Sequence, residues 1–162
     1  MEKEAEYKNI LNIDQSKNRV HVILARSYSI YFLFFIVGVF LDLVFNLKIL
    51  KLSFLVSLGA ILIFFASLLI FWAQRTSRNL KKETLTKESF SKGPYRFSRN
   101  PTHWGLFLLM LGFGFIINAI FIVIFAVISF ILTKVIYLKK EESILERKYG
   151  APYREYKKTV KF

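Results

Sequence analysis

Two short clusters carry the residue types able to do chemistry in this 162-residue chain. The first is the run GPYRFSRNPTHWG at positions 93–105. Gly-Pro reads as a turn, and Asn-Pro reads as a helix start with Asn100 at the N-cap and Pro101 in the first helical position. A helix beginning there directs backbone N–H groups and the positive end of its dipole at the preceding loop, a setting that favours an anion. Arg99, directly before it, adds a full charge and a fork suited to carboxylate or phosphate. A well-capped membrane helix with an arginine among the headgroups has the same sequence, and spacing alone does not separate the two.

The second cluster is Lys139-Lys140-Glu141-Glu142. Adjacent glutamates on a helix point about 100° apart, so one can serve a ligand while its neighbour meets solvent or a lysine. Taken alone, the cluster is a solvated helix exit with weak ion pairs. Against that, Glu142 and Glu146 are like charges four apart, which is unfavourable on an isolated helix. Something beyond local helix stability selects for acid here.

Composition restricts the chemistry further. The absence of cysteine excludes disulfides, thiolate nucleophiles, iron–sulfur ligation and cysteine-based zinc, and two histidines, His21 and His103, are too few for three-histidine zinc. No metal is expected. A net charge of +13 in a chain that is 54% hydrophobic with mean hydropathy +0.41 requires charges and hydrophobes to occupy different segments.

Those segments are the elements that must position the two clusters. Residues 28–47 carry one charge, Asp42, residues 52–73 carry none, and residues 101–133 carry none. Spanning a bilayer takes roughly 20 apolar residues, so the first two stretches each read as one crossing. The third would be roughly 50 Å long as a single helix and must double back. Gly112, Gly114 and Asn118 mark the expected break, giving arms of about 103–117 and 119–137, the first short for a full crossing. The expectation is an all-α membrane protein of about four transmembrane helices, the last two a helical hairpin, with a cytoplasmic cofactor pocket. Its parts are an N-terminal segment (1–27), two spans (28–73), a basic loop (74–101), the hairpin (102–138), and a helix with a basic aromatic tail (139–162).

Charge supports the count. The 74–101 loop holds eight basic residues against Glu83 and Glu88, and the chain from Lys134 onward holds nine against four acidic. Segments rich in Lys and Arg stay cytoplasmic, so both lie on one face, with an even number of passes between them. The N-terminal segment is then cytoplasmic too, while Lys48 and Lys51 dissent mildly. The polar first 19 residues do not fit a cleavable signal, so the first span is retained. Topology and attraction to anionic lipid headgroups account for most of the positive charge. Nucleic acid is not an expected partner, since no recognition motif accompanies the basic residues. A non-catalytic basic adaptor that gathers anionic lipids or partner proteins is the competing reading. Asp42 sits close enough to one end of its span to reach the interface, and a structural role is expected for it over a transport role. Gly38 and Gly59 are expected to let helices approach closely.

If the hairpin closes, Arg99 and Asn100 at its start and Glu141 at its exit become neighbours on one membrane face. Groups that bind an anion and groups that bind a cation then share a pocket. A zwitterionic amino acid with a ribose attached makes both demands, and Tyr95, Phe97 and Trp104 offer flat surfaces for a base.

At this point residues 93–162 resemble the small integral-membrane methyltransferases related to isoprenylcysteine carboxyl methyltransferase and the phospholipid N-methyltransferases. The resemblance rests on GPYRFSRNP, a glycine four residues after the proline, the hairpin, the EE pair and YGAPYREYKKTVKF. It implies S-adenosylmethionine bound at the cytoplasmic face, lined by Tyr95, Asn100, Pro101, Thr102 and His103, held by Glu141, with mostly backbone from 87–90, and the charge of Arg99 places that residue among the cofactor-binding candidates as well. A lipophilic or lipid-modified acceptor (carboxylate, amine or thiol) is expected to arrive from the membrane, with His103 or Glu142 accepting or orienting a proton where the acceptor is an amine or thiol. Three positions depart from the family pattern. Asn100 stands where histidine is frequent, His103 where tyrosine is common, and Tyr137 where prenylcysteine-specific members are similar in carrying a substrate-binding arginine. The last weakens a prenylcysteine carboxylate as acceptor.

Overall fold

The computed structural model describes residues 27–49, 54–78 and 87–160. Seven α-helices are described: α1 (Ser27–Phe45), α2 (Phe54–Arg78), α3 (Lys87–Phe90), α4 (Pro101–Ile116), α5 (Ile120–Leu132), α6 (Leu138–Tyr149) and α7 (Ala151–Thr159). A 3-10 turn at Gly93–Arg96 precedes α4, and a π-helical turn at Thr133–Tyr137 joins α5 to α6 without interrupting the helix axis. Among the described residues there is no strand, only an isolated antiparallel bridge between Lys48 and Ala119. The protein is an all-α membrane protein: α1, α2 and the continuous α5–α6 helix (Ile120–Arg147) are each long and apolar enough to cross a bilayer. At 16 residues, α4 is about 24 Å long and stops short of that. His21, Lys51 and residues 79–86 of the basic loop lie outside the described residues.

The uncharged run doubles back as expected, but at one residue. Asn118 takes a left-handed φ of 57°, and its side-chain oxygen accepts from Ile49 N at 2.9 Å. Gly112 and Gly114 do not break the helix; they lie buried inside α4. Gly112 faces Gly59 on α2. A methyl group on Gly59 would fall 2.6 Å from the Gly112 carbonyl oxygen, and one on Gly112 would fall 2.7 Å from that of Gly59. In hydrocarbon, where burial from water does not drive helices together, small residues at such a seam allow the close contact that does. Gly38 serves α1 in the same way, with Ile122 of α5 against it.

A second cluster joins α1, α4 and α5 through Tyr31, Met110, Ala119, Ile122 and Ala126, with Phe34, Phe35 and Phe125 packed around them. Large side chains such as Phe32, Phe40, Phe64, Phe65 and Phe71 point outward, where lipid solvates them. Asp42 closes the far end of the bundle. Its two oxygens accept from the backbone of Phe121 (3.1 Å) and Ile122 (3.0 Å), the first turn of α5. The expected structural role is therefore specific: a carboxylate on α1 caps a helix of the hairpin, at the positive end of its dipole.

Candidate functional site

At the opposite end of the hairpin, the start of α4 and the start of α6 come together. Asn100 occupies the N-cap position and Pro101 the first turn, yet the Asn100 side chain makes no capping bond. The Asn100 backbone N–H instead donates to Ser98 Oγ at 3.2 Å. Arg99 Nη1 reaches Glu142 Oε1 at 2.6 Å, and His103 Nε2 lies 3.8 Å from Glu141 Oε2.

Both glutamates are buried, at 8% and 7% exposure, so neither meets bulk solvent. They face different neighbours, as their angular separation on α6 requires. Glu142 is gripped by Arg99 and by Lys157 of α7, whose Nζ lies 2.9 Å from Oε2. The same ammonium reaches Glu146 Oε1 at 2.7 Å. One lysine thus bridges the two like charges that are poorly placed on a lone helix.

Glu141 has a different setting. Its Oε2 and the Nδ1 of His103 are buried with no hydrogen-bond partner among the described residues. The other ring nitrogen of His103, Nε2, lies 3.8 Å from Glu141 Oε2, too far for a hydrogen bond. Around Glu141 stand phenols close enough to feel its charge, those of Tyr28, Tyr95 and Tyr153. Thr102 is within hydrogen-bonding reach of Tyr28 and Tyr95, and Tyr95 also reaches Ser77 of α2. Burial, reinforced by the Glu141 charge, raises the Tyr95 phenol above its usual 10.0, so it is a neutral donor near neutrality. A buried carboxylate oxygen beside neutral hydroxyls and an imidazole suits a cationic or diol-bearing ligand.

α7 closes the site from outside. Gly150, with φ 65° and ψ −135°, turns the chain between α6 and α7 in a conformation open essentially to glycine. Tyr153 and Tyr156 then pack with Phe90 of α3, ring centroids 5.5 and 5.9 Å away, and Tyr156 donates to the Tyr95 carbonyl at 2.8 Å. These two tyrosines are buried against the 87–97 segment and do not lie on headgroups as an aromatic tail would. The Phe90 side chain is thereby spent on packing with α7.

Beside His103 a shallow cleft opens between α4 and the π turn. Asn100, His103 and Trp104 line one side, Phe130, Thr133, Lys134 and Leu138 the other, with Ser98 at the edge. His103 thus borders both Glu141 and the cleft.

Every expected site residue falls at this end of the molecule: Tyr95, Arg99, Asn100, Pro101, Thr102, His103, Glu141 and Glu142. Sequence reasoning missed the α1 wall, where the rings of Tyr28 and Tyr31 stand 5.8 and 6.0 Å from His103. Tyr31 also shares a hydrogen bond of 3.1 Å with Thr133. Two tyrosines three apart at the start of a span were the available signal. It is a weak one, because aromatics gather at any membrane interface. Among the described residues no His, Asp and Glu cluster could hold a metal.

Comparison with curated proteins and with solved structures returns no match. The chain does match the family model for phospholipid methyltransferases over residues 54–152, from the start of α2 into α7. With well over half its length in that match, the chain belongs to the phospholipid methyltransferase family.

Proposed function

We propose that this protein is an S-adenosylmethionine-dependent methyltransferase whose acceptor is lipophilic and reaches the site from the bilayer. The observation that carries the reading is the buried Glu141 carboxylate, one oxygen of which has no hydrogen-bond donor among the described residues although Tyr95 and His103 stand near it. Membership of a methyltransferase family makes the sulfonium cofactor the natural ligand for it.

Glu141 would hold the ammonium or ribose diol of the cofactor, and Arg99 with the opening turn of α4 would favour its carboxylate. Tyr95, Asn100, Pro101, Thr102 and His103 would line it. When bound, the cofactor supplies a methyl group on a positive sulfur, transferred in line to the acceptor as the carbon–sulfur bond breaks and a neutral thioether departs. The chain's own task is then placement, which can supply roughly 7 to 11 kcal/mol of rate enhancement. Exclusion of water is the second task, met here by α7 on one side and lipid on the other.

An amine or thiol acceptor must lose a proton, and His103 would accept or orient it, with Nδ1 the nitrogen that has no partner. A carboxylate acceptor needs no base. Glu142, held by two cations, would act as a positioning residue. On the positive-inside rule the Glu141 end is cytoplasmic.

Calorimetric titration of the purified full chain with S-adenosylmethionine tests the proposal. Glu141→Gln should weaken binding by at least about tenfold, the loss expected for one buried charge-assisted hydrogen bond. Unchanged affinity in Glu141→Gln and Glu141→Ala would remove the basis for this pocket.

A further inference from the structure

The family match begins at Phe54, so α1 stands outside it, yet α1 brings a side chain into the surroundings of Glu141. The helix is held at both ends. At the far end Asp42 caps α5, and one turn before it Gly38 lets α1 close on Ile122. At the near end Tyr31 meets Thr133 at 3.1 Å. The Thr133 hydroxyl gives its one proton to the Ser129 carbonyl, 2.7 Å away, so Tyr31 is the donor in that pair. Its proton is committed to holding α1 on the π turn.

Tyr28 lies three residues earlier on the same face of α1, and its hydroxyl has other neighbours. Its ring packs beside His103, its hydroxyl is within hydrogen-bonding reach of Thr102 in the first turn of α4, and the Glu141 charge acts on it. Thr102 is shared with Tyr95, which also reaches Ser77 near the end of α2. Tyr28, Thr102, Tyr95 and Ser77 therefore form a row of four hydroxyls with three contacts between them.

Each hydroxyl has one proton to give, so four of them joined by three hydrogen bonds keep one proton over. Turned one way, the row leaves that proton on Ser77, which is exposed; turned the other way, it leaves it on Tyr28, inside the site. Glu141 favours the second direction, because its charge is felt at Tyr28 and Tyr95 and attracts the hydrogen end of a hydroxyl. Among the described residues no donor reaches Glu141 Oε2, so the proton is not spent on that oxygen. A carboxylate that only accepts thus stands beside a phenol with a proton to donate.

We infer that Tyr28 is a cofactor-binding residue, donating to an oxygen of S-adenosylmethionine next to the group that Glu141 holds. This rests on the methyltransferase reading and adds to it a ligand contact from a helix that the family match leaves out. The recipient is a hydroxyl or carboxylate oxygen, since an ammonium has no lone pair to receive the bond.

The test is calorimetric titration of the full chain in detergent with S-adenosylmethionine, with thermal unfolding of the same samples. Tyr28→Phe keeps the ring against His103 and removes only the hydroxyl. It should weaken binding roughly three- to tenfold, the loss of one hydrogen bond between neutral groups, at an unchanged melting temperature. Combined with Glu141→Gln, it should lose less than the product of the two single losses, because both side chains act on adjoining groups of one ligand. Asp42→Asn loosens α1 at its other end and should bind with wild-type affinity despite a lower melting temperature. Undiminished affinity in Tyr28→Phe, strictly multiplied losses in the double variant, or an equal loss in Asp42→Asn each overturn the inference while leaving the methyltransferase reading in place. A wild type that does not bind S-adenosylmethionine overturns that reading, and the Tyr28 contact with it.

Discussion

The guanidinium of Arg99 and the carboxylate of Glu142 meet at 2.6 Å, with side chains 14% and 9% exposed, and this contact fastens the entrance of the hairpin to its exit. Breaking such a pair from one side leaves a charge buried without its counter-ion, which costs more than the intact pair is worth.

Arg99→Ala should therefore destabilise the folded chain by about 1 to 3 kcal/mol, less than a fully buried pair would lose because Lys157 still serves Glu142. The double variant Arg99→Ala with Glu142→Gln should recover part of that loss but not cofactor binding. Thermal unfolding in detergent across the four proteins of the cycle gives the coupling. Strict additivity would mean that the ion contact contributes nothing.

Asp42→Ala removes the acceptor for two backbone donors of α5, in a setting where water is scarce. A loss of about 2 to 3 kcal/mol is expected, with Asp42→Asn losing less because it keeps one oxygen. Helix content should survive while the melting temperature falls. A variant as stable as wild type would show that water or lipid headgroups replace the cap.

Alkali should loosen α7 first. The phenols of Tyr95, Tyr153 and Tyr156 are raised above 10.0 chiefly by burial, with the Glu142 charge next at Tyr153 and the neighbouring Tyr95 next at Tyr156. Lys157 is raised above 10.5 by its bonds to Glu146 and Glu142. In each case the folded chain holds the proton more tightly than the unfolded one. Their stabilisation is thus complete below the ordinary values and declines as pH climbs through the raised ones. Absorbance titration of tyrosine should show a late, cooperative step above about pH 10 that coincides with loss of α7 packing. Tyr153→Phe should move that step to higher pH. Gradual ionisation near 10 with the packing intact would contradict this.

How far these features could be read in advance depends on what each residue type signals in lipid. The doubling back was legible because 33 uncharged residues cannot cross once. The position of the break was harder, since Asn118 could bend the chain while Gly112 and Gly114 resemble breakers yet serve packing, as glycine often does in membrane helices. The meeting of Arg99 with α6 followed from hairpin geometry alone. Burial of both glutamates did not, because it needs α7 folded back over α6, and nothing local in YGAPYREYKK distinguishes a returning helix from one lying on the surface. Lys134 was hidden for a related reason. Counted as the first charge of a basic tail, it gave no sign that the helix continues straight past it.

The Asp42 cap joins a residue that precedes the family-matched region to a helix within it. Ribosomes deliver α1 before α5, so the acceptor for the Phe121 and Ile122 amides is already waiting when those donors enter the lipid. A chain begun at Phe54 would present the same motifs without α1, and the first turn of α5 would arrive with nothing to lock onto. Vectorial synthesis supplies this molecule with its keystone first.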